Sequence, residues 1–188
     1  MRIPLQASAS LSFQHQQARA YRTLLMAFAY PARLQQLEVD AMQACIDCLL
    51  DTATRVALSV GSHAWCERIL ATGAMLSSQP EWVFAGPALA DLDSIPTGSR
   101  EVPEEGATAV IGVEALSETA LHTPGELCIG ARGAGLKEPT LLFVSGLKRG
   151  VIEHHQAWHG EYPCGVDLLL CAGRQVVALP RHLTLELR

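Results

Sequence analysis

YPCGVDLLLCAGRQVVALPR, residues 162–181, is the stretch that decides the fold. Val166, Leu168, Leu169 and Leu170 lead into Cys171-Ala172-Gly173-Arg174, and Val176, Val177, Ala178 and Leu179 lead back to a stop at Pro180. Two short apolar runs joined by a glycine-containing turn and closed by proline predict a hairpin buried on both faces. Asp167 is the exception inside it. A carboxylate among leucines needs a partner or hydrogen bonds, because an unpaired buried charge costs several kcal/mol or is neutralised. Arg181, just past the proline, is a candidate partner. Asp167 reads as half of a structural ion pair, as a cap on a neighbouring turn, or, with Arg181, as part of an acid and base for chemistry.

The rest of the chain sets bounds on that choice. Its 188 residues fit a single domain, 1–188, long enough to bury roughly 70% of the surface of the unfolded chain. With 49% hydrophobic and 18% charged residues it reads as globular. Fourteen basic residues against 19 acidic ones, with no Lys/Arg cluster, argue against nucleic acid as a partner. An anionic small molecule stays open, since one local arginine pair can hold it. The N-terminal MRIPLQASASLSF lacks the charged and apolar regions of an export signal, and charges interrupt every apolar run before it reaches membrane-spanning length. A cytoplasmic protein with no membrane partner is expected. The cysteines at 45, 48, 66, 128, 164 and 171 then read as reduced core thiols. A mean hydropathy of +0.19 without a membrane segment hints that another chain covers some apolar surface.

Along the chain, residues 12–29 predict an amphipathic helix with Ser12 as N-cap, one face formed by Phe13, Ala18, Tyr21, Leu24, Leu25 and Phe28, and a stop at Pro31. An extended piece at 34–39, a helix at 41–53 and a strand at 55–60 follow. Gly61-Ser62 breaks that strand and caps a helix at 63–70. Strands are expected at 74–77, 82–85, 107–114 and 127–131, with a proline-rich loop between 87 and 106. A helix over 142–158 precedes the closing hairpin and a last strand at 183–187. The order predicts an α/β fold with a mixed β-sheet flanked by helices.

Four groups of residues could carry chemistry. Cys45-x-x-Cys48 has the spacing of a redox pair or half a zinc site, but no second such motif exists and the run is helical, which favours core cysteines. His155 and His159 would share one face of a helix beside His154, without the glutamate of a zinc-protease motif. Gly130-Ala131-Arg132-Gly133-Ala134-Gly135 could cradle a phosphate with Arg132 and Lys137, or simply turn the chain. A pyridoxal phosphate enzyme needs a Schiff-base lysine, and only Lys137 and Lys148 exist.

Taken together in chain order, several stretches resemble the PhnH family, the H subunit of the bacterial carbon–phosphorus lyase system of phosphonate breakdown. They are Tyr21-Arg22-Thr23-Leu24-Leu25-Met26-Ala27-Phe28 with Pro31, and Leu76-Ser77-Ser78-Gln79-Pro80-Glu81. Thr97-Gly98-Ser99 with Pro103-Glu104-Glu105-Gly106-Ala107-Thr108 follows, then Tyr162 to Leu168 with Leu179-Pro180-Arg181. The resemblance implies a fold like the large domain of pyridoxal phosphate-dependent transferases, without the cofactor. It implies a homodimer that assembles with the G, I and J subunits. Their first step couples an alkylphosphonate to ATP, displacing adenine to give a ribose 1-phosphonate 5-triphosphate. On this reading the chain is a non-catalytic scaffold with no cofactor and no metal, in which Arg22, Asp167 and Arg181 form a structural or interface network. The competing expectations are a free-standing pyridoxal phosphate or metal enzyme and a small phosphate-binding module. Two departures stand out: Ala32 where the family usually has glycine after the proline, and Leu70-Ala71-Thr72-Gly73, which lacks a histidine often found before this Thr-Gly.

Overall fold

A computed structural model describes residues 5–59, 63–87, 89 and 92–188. In chain order, α1 (Leu5–Ala29), β1 (Gln35–Gln36), α2 (Ala41–Leu49), β2 (Arg55–Leu58), α3 (His63–Ala71), β3 (Met75–Leu76) and β4 (Trp82–Ala85) form the first half. After a loop ending in a single 3-10 turn (Pro103–Glu105) come β5 (Thr108–Gly112), β6 (Ala115–Ser117), β7 (Leu127–Arg132) and β8 (Thr140–Ser145). Then α4 (Arg149–His159), β9 (Asp167–Ala172), β10 (Gln175–Leu179) and β11 (Thr184–Leu187) close the chain.

The hairpin of β9 and β10 pairs Leu168 with Leu179 and Ala172 with Gln175 around a turn at Gly173-Arg174. It enters a seven-stranded mixed sheet of order β1-β10-β9-β5-β4-β2-β3. Strand β9 runs parallel to β5, and β10 runs antiparallel to both of its neighbours. Because side chains alternate across a strand, β9 sends Leu168 and Leu170 to one core and Leu169 and Cys171 to the other. β10 divides in the same way, Val177 and Leu179 against Val176 and Ala178. Helices α1 and α2, with Ile69 of α3, cover the Leu169 face. The opposite face packs on a four-stranded antiparallel sheet, order β11-β7-β8-β6, together with Val151 and Ile152 of α4. The α/β class and the mixed sheet are as expected. The second sheet was not.

Its absence from the expectation traces to residues 142–158, read as one helix. Thr140 to Ser145 is instead strand β8, with Leu142 and Val144 buried in alternation. Gly146 ends it at φ +79, where a Cβ would lie 2.5 Å from Glu114 Cγ, so only glycine fits; α4 starts three residues later. Helix α1 begins at Leu5, so Ser12 lies inside it rather than capping it. Its inward face is Ala20, Leu24 and Ala27 with Phe28 beside them, while Tyr21 and Leu25 are exposed, a rotation of the predicted stripe. Helix α2 stops at Leu49, because Asp51 draws the chain into a local turn by accepting from Ala53 N and Thr54 Oγ1. The expected cap at Gly61-Ser62 falls outside the described residues.

The exit of α1 explains the alanine that departs from the family pattern. Ala32 has φ +57, is fully buried, and donates its N–H to the Ala178 carbonyl at 2.8 Å. That left-handed conformation costs alanine about 1 kcal/mol relative to glycine, whereas the buried methyl contributes about 0.8 kcal/mol. The two nearly cancel. Ala32→Gly should stay within about 1 kcal/mol of wild type in urea unfolding, and Ala32→Val should lose more than about 2 kcal/mol, since a β-branched side chain is strained at positive φ.

Candidate functional site

Asp167 opens β9, and Arg181 follows β10 by two residues, so the hairpin register brings them face to face. Asp167 Oδ1 accepts the Arg181 backbone N–H at 2.7 Å, and Oδ2 accepts from Nε at 3.1 Å and Nη2 at 2.7 Å. Arg181 also donates from Nη1 to the Pro103 carbonyl at 2.8 Å and from Nη2 to the Gly106 carbonyl at 3.0 Å. Both side chains are largely withdrawn from solvent, at 21% and 16% exposure. Around them, Gly165 N donates to Thr97 O, Asp167 N donates to Ala107 O, and Thr97 bridges Gly106. A side chain at Gly106 would collide with the Arg181 guanidinium and the Gly165 carbonyl. The pair therefore stitches the 97–106 loop to the end of the hairpin. With four side-chain bonds already made, the guanidinium has little left with which to hold an anion.

The third predicted residue is elsewhere. Arg22 is exposed on α1 and lines a shallow hollow of about 290 Å³ with Arg19, Thr23, Gln36 and Glu38. The structure joins Asp167 to Arg181 but not to Arg22.

The three histidines of α4 diverge. His154 sits 2.9 Å from the Gly150 carbonyl and 3.2 Å from Asp93 Oδ1, with its ring edge-on to Trp158. His159 lies 3.2 Å from the Arg181 carbonyl and 3.3 Å from Thr184 Oγ1. His155 is buried, and neither ring nitrogen has a well-formed hydrogen bond. Burial pushes its pKa down to about 4, while the carbonyls of Pro180 and Leu179 and the charge of Asp167 pull the other way. Among the described residues, no three His, Cys, Asp or Glu side chains converge as metal ligands.

The cysteine and glycine motifs resolve into packing. Cys45 faces Cys171, with their sulfurs 3.9 Å apart, and Cys48 donates to the Gln17 carbonyl. The contact with Cys171 and burial raise the Cys45 pKa, which keeps it a thiol and a poor nucleophile. Arg132 is held by Glu186 at 2.8 Å, and Gly135 packs against the Pro31 ring. Lys137 and Lys148 are exposed in the layer of the second sheet, the latter preceding α4.

One feature had no counterpart in the sequence reading. A crevice of about 380 Å³ opens beside β2 and β4, with Ser59, Ser77, Ser78 and Ser94 set among Ala57, Val83, Leu89 and Ile95. Serines just past strand ends were its only trace in the sequence.

Two measurements test this assignment. Asp167→Ala strands a half-buried guanidinium and should lower stability by about 3 kcal/mol, read as a fall in Tm of roughly 10 °C. His155 has a folded pKa near 4, below that of an unfolded histidine at about 6.5, so unfolded chains take up its proton first. Its contribution is present above pH 6.5 and is lost as pH falls toward 4, in all about 3 kcal/mol. His155→Leu should therefore lose less stability than wild type between pH 7 and pH 4.5 in urea titrations.

Comparison with known proteins places this geometry. The family described as "Bacterial phosphonate metabolism protein (PhnH)" matches residues 10–186. The chain is 33% identical over 180 residues to "Putative C-P lyase subunit protein HtxG" of Stutzerimonas stutzeri, covering 92% of this chain and 87% of the other. It is 29% identical over 189 residues to "Alpha-D-ribose 1-methylphosphonate 5-triphosphate synthase subunit PhnH" of Rhizobium meliloti (strain 1021), covering 88% of each.

Proposed function

This chain belongs to the bacterial phosphonate metabolism (PhnH) family of carbon–phosphorus lyase subunits, and from that membership we propose its place in the reaction. It acts as a homodimeric, non-catalytic subunit of the lyase core. There it assembles with the G, I and J subunits and is needed where an alkylphosphonate is coupled to an ATP-derived ribose triphosphate. The observation that carries the reading is the state of the acid–base pair at the hairpin end, the most withdrawn from solvent among the described ion pairs. Asp167 and Arg181 spend their hydrogen bonds on each other and on the Pro103 and Gly106 carbonyls, an arrangement that holds a loop rather than a substrate.

The finer parts of the proposal rest on separate features. A scaffold like the large domain of pyridoxal phosphate-dependent transferases, used without cofactor, is supported by the mixed seven-stranded sheet under three helices. The exposed positions of Lys137 and Lys148 agree with it. A single unit spanning residues 1–188 is supported by the two cores sharing one central sheet. A cytoplasmic location follows from the proposed complex, and no described helix is long and apolar enough to cross a membrane.

Co-expression with the G, I and J subunits of the same organism tests the assignment. The chain should co-elute with them, and by itself should run at twice 20.2 kDa in light scattering. Its visible spectrum should lack a Schiff-base band. Such a band, stoichiometric zinc, or phosphonate turnover by the isolated chain would replace the scaffold with a free-standing enzyme.

A further inference from the structure

Helix α1 is apolar on two sides. Its inward face, Ala20, Leu24 and Ala27, is buried against α2 and the sheet. On the opposite side Tyr21 and Leu25, and Arg22 and Met26, stand as two i, i+4 ladders joined by Ala18 and Ala29. Tyr21 is 45% exposed, Leu25 50%, Met26 44%, and Tyr30 just past the helix 44%. Single exposed apolar residues are ordinary, but four large ones on one continuous face are the pattern of a helix meant to be covered twice.

The charge around this face narrows what covers it. Residues 1–37 contain four of the 14 basic residues, at 2, 19, 22 and 33, and none of the 19 acidic ones. Arg22 sits in the middle of the apolar face, and Arg19 on its flank reaches Glu38 in a surface pair at 3.1 Å. In a chain of net charge −5, this segment is a positive, apolar island. Glu38, the carboxylate in the hollow beside Arg19 and Arg22, is already engaged by Arg19, so a second copy docking about a two-fold axis would leave Arg22 of both copies without a free carboxylate. A different polypeptide carries no such restriction.

We infer that the outer face of α1 is the surface by which this chain docks another subunit of its complex, seated in an apolar groove rimmed by carboxylates. The inference rests on the subunit reading above and adds the place of contact and the chemistry of the partner. Leu25 and Met26 supply the buried centre, Tyr21 and Tyr30 its aromatic borders, and Arg22 an ion pair desolvated by the contact. Steering by the arginines makes association faster at low salt.

The test is co-elution of the chain with the co-expressed G, I and J subunits, comparing wild type with Leu25→Glu plus Met26→Glu, with Arg22→Glu, and with Leu70→Glu. Leu70 is 49% exposed on α3 and serves as the control. Thermal unfolding verifies folding, and Leu25→Ala plus Met26→Ala replaces the double glutamate variant if that one melts. The expected result is a loss of affinity of about tenfold or more for the double variant, weaker and less salt-sensitive binding for Arg22→Glu, and no change for Leu70→Glu. Wild-type assembly that the double variant retains in full overturns the inference. So does an effect confined to dimerisation of the isolated chain, which makes the occupant a second copy. Binding of wild type to phosphatidylglycerol vesicles, lost in the double variant while assembly persists, makes it a membrane surface instead. Failure of wild type itself to co-elute refutes the subunit reading and this inference with it.

Discussion

The pairing of Asp167 with Arg181, in which one carboxylate oxygen takes two guanidinium N–H groups and the other the backbone N–H, is the constraint on which the layout depends. A carboxylate at the start of β9, an inner strand of the sheet, is tolerable only because a guanidinium arrives from the far end of the same hairpin. The spare donors of that guanidinium go to carbonyls of the 97–106 loop, so one buried charge is neutralised and one long loop is anchored. Glycine at 106 and 165 keeps room for it. His159 rests on the Arg181 carbonyl, which brings the end of α4 into the same knot. The 97–106 loop, the end of α4 and both ends of the hairpin thus share one set of hydrogen bonds.

The hairpin was legible in the sequence because both faces are buried. Val166 to Leu179 lacks the polar alternation of a surface strand, and a turn with glycine leaves one way to fold it. The ion pair was legible for the same reason, since a charge in such a run demands a partner. Strand β8 was not, because Val144 continues into Leu147, Val151 and Ile152 at helical spacing while Leu142 and Val144 also alternate, and only pairing with β6 and β7 decides. The facing of α1 was hidden by its two apolar stripes, which make the inward one impossible to choose from periodicity alone. The serine-lined crevice was invisible because its residues come from three segments with no shared motif.

Function follows the same division between what is saturated and what is left over. The polar groups at the hairpin end are engaged by one another, whereas the outer side of α1 exposes large apolar side chains. The internally bonded acid and base and the apolar outer face of α1 are the two features on which the proposed assembly role rests. The family and the names of its relatives, each a subunit, agree with that division.

The pairing of β5 with β9 also dictates an order of events. These adjacent parallel strands are separated in sequence by everything from residue 113 to residue 166, including most of the second sheet and all of α4. A chain emerging from the ribosome therefore presents β5 with one edge open until the final strands appear. Closing so long a loop is slow compared with forming local contacts. Two inner strands of the large sheet are supplied by the last two dozen residues, and a nascent chain shorter than that holds β5, β4, β2 and β3 without the partner that β1 pairs with.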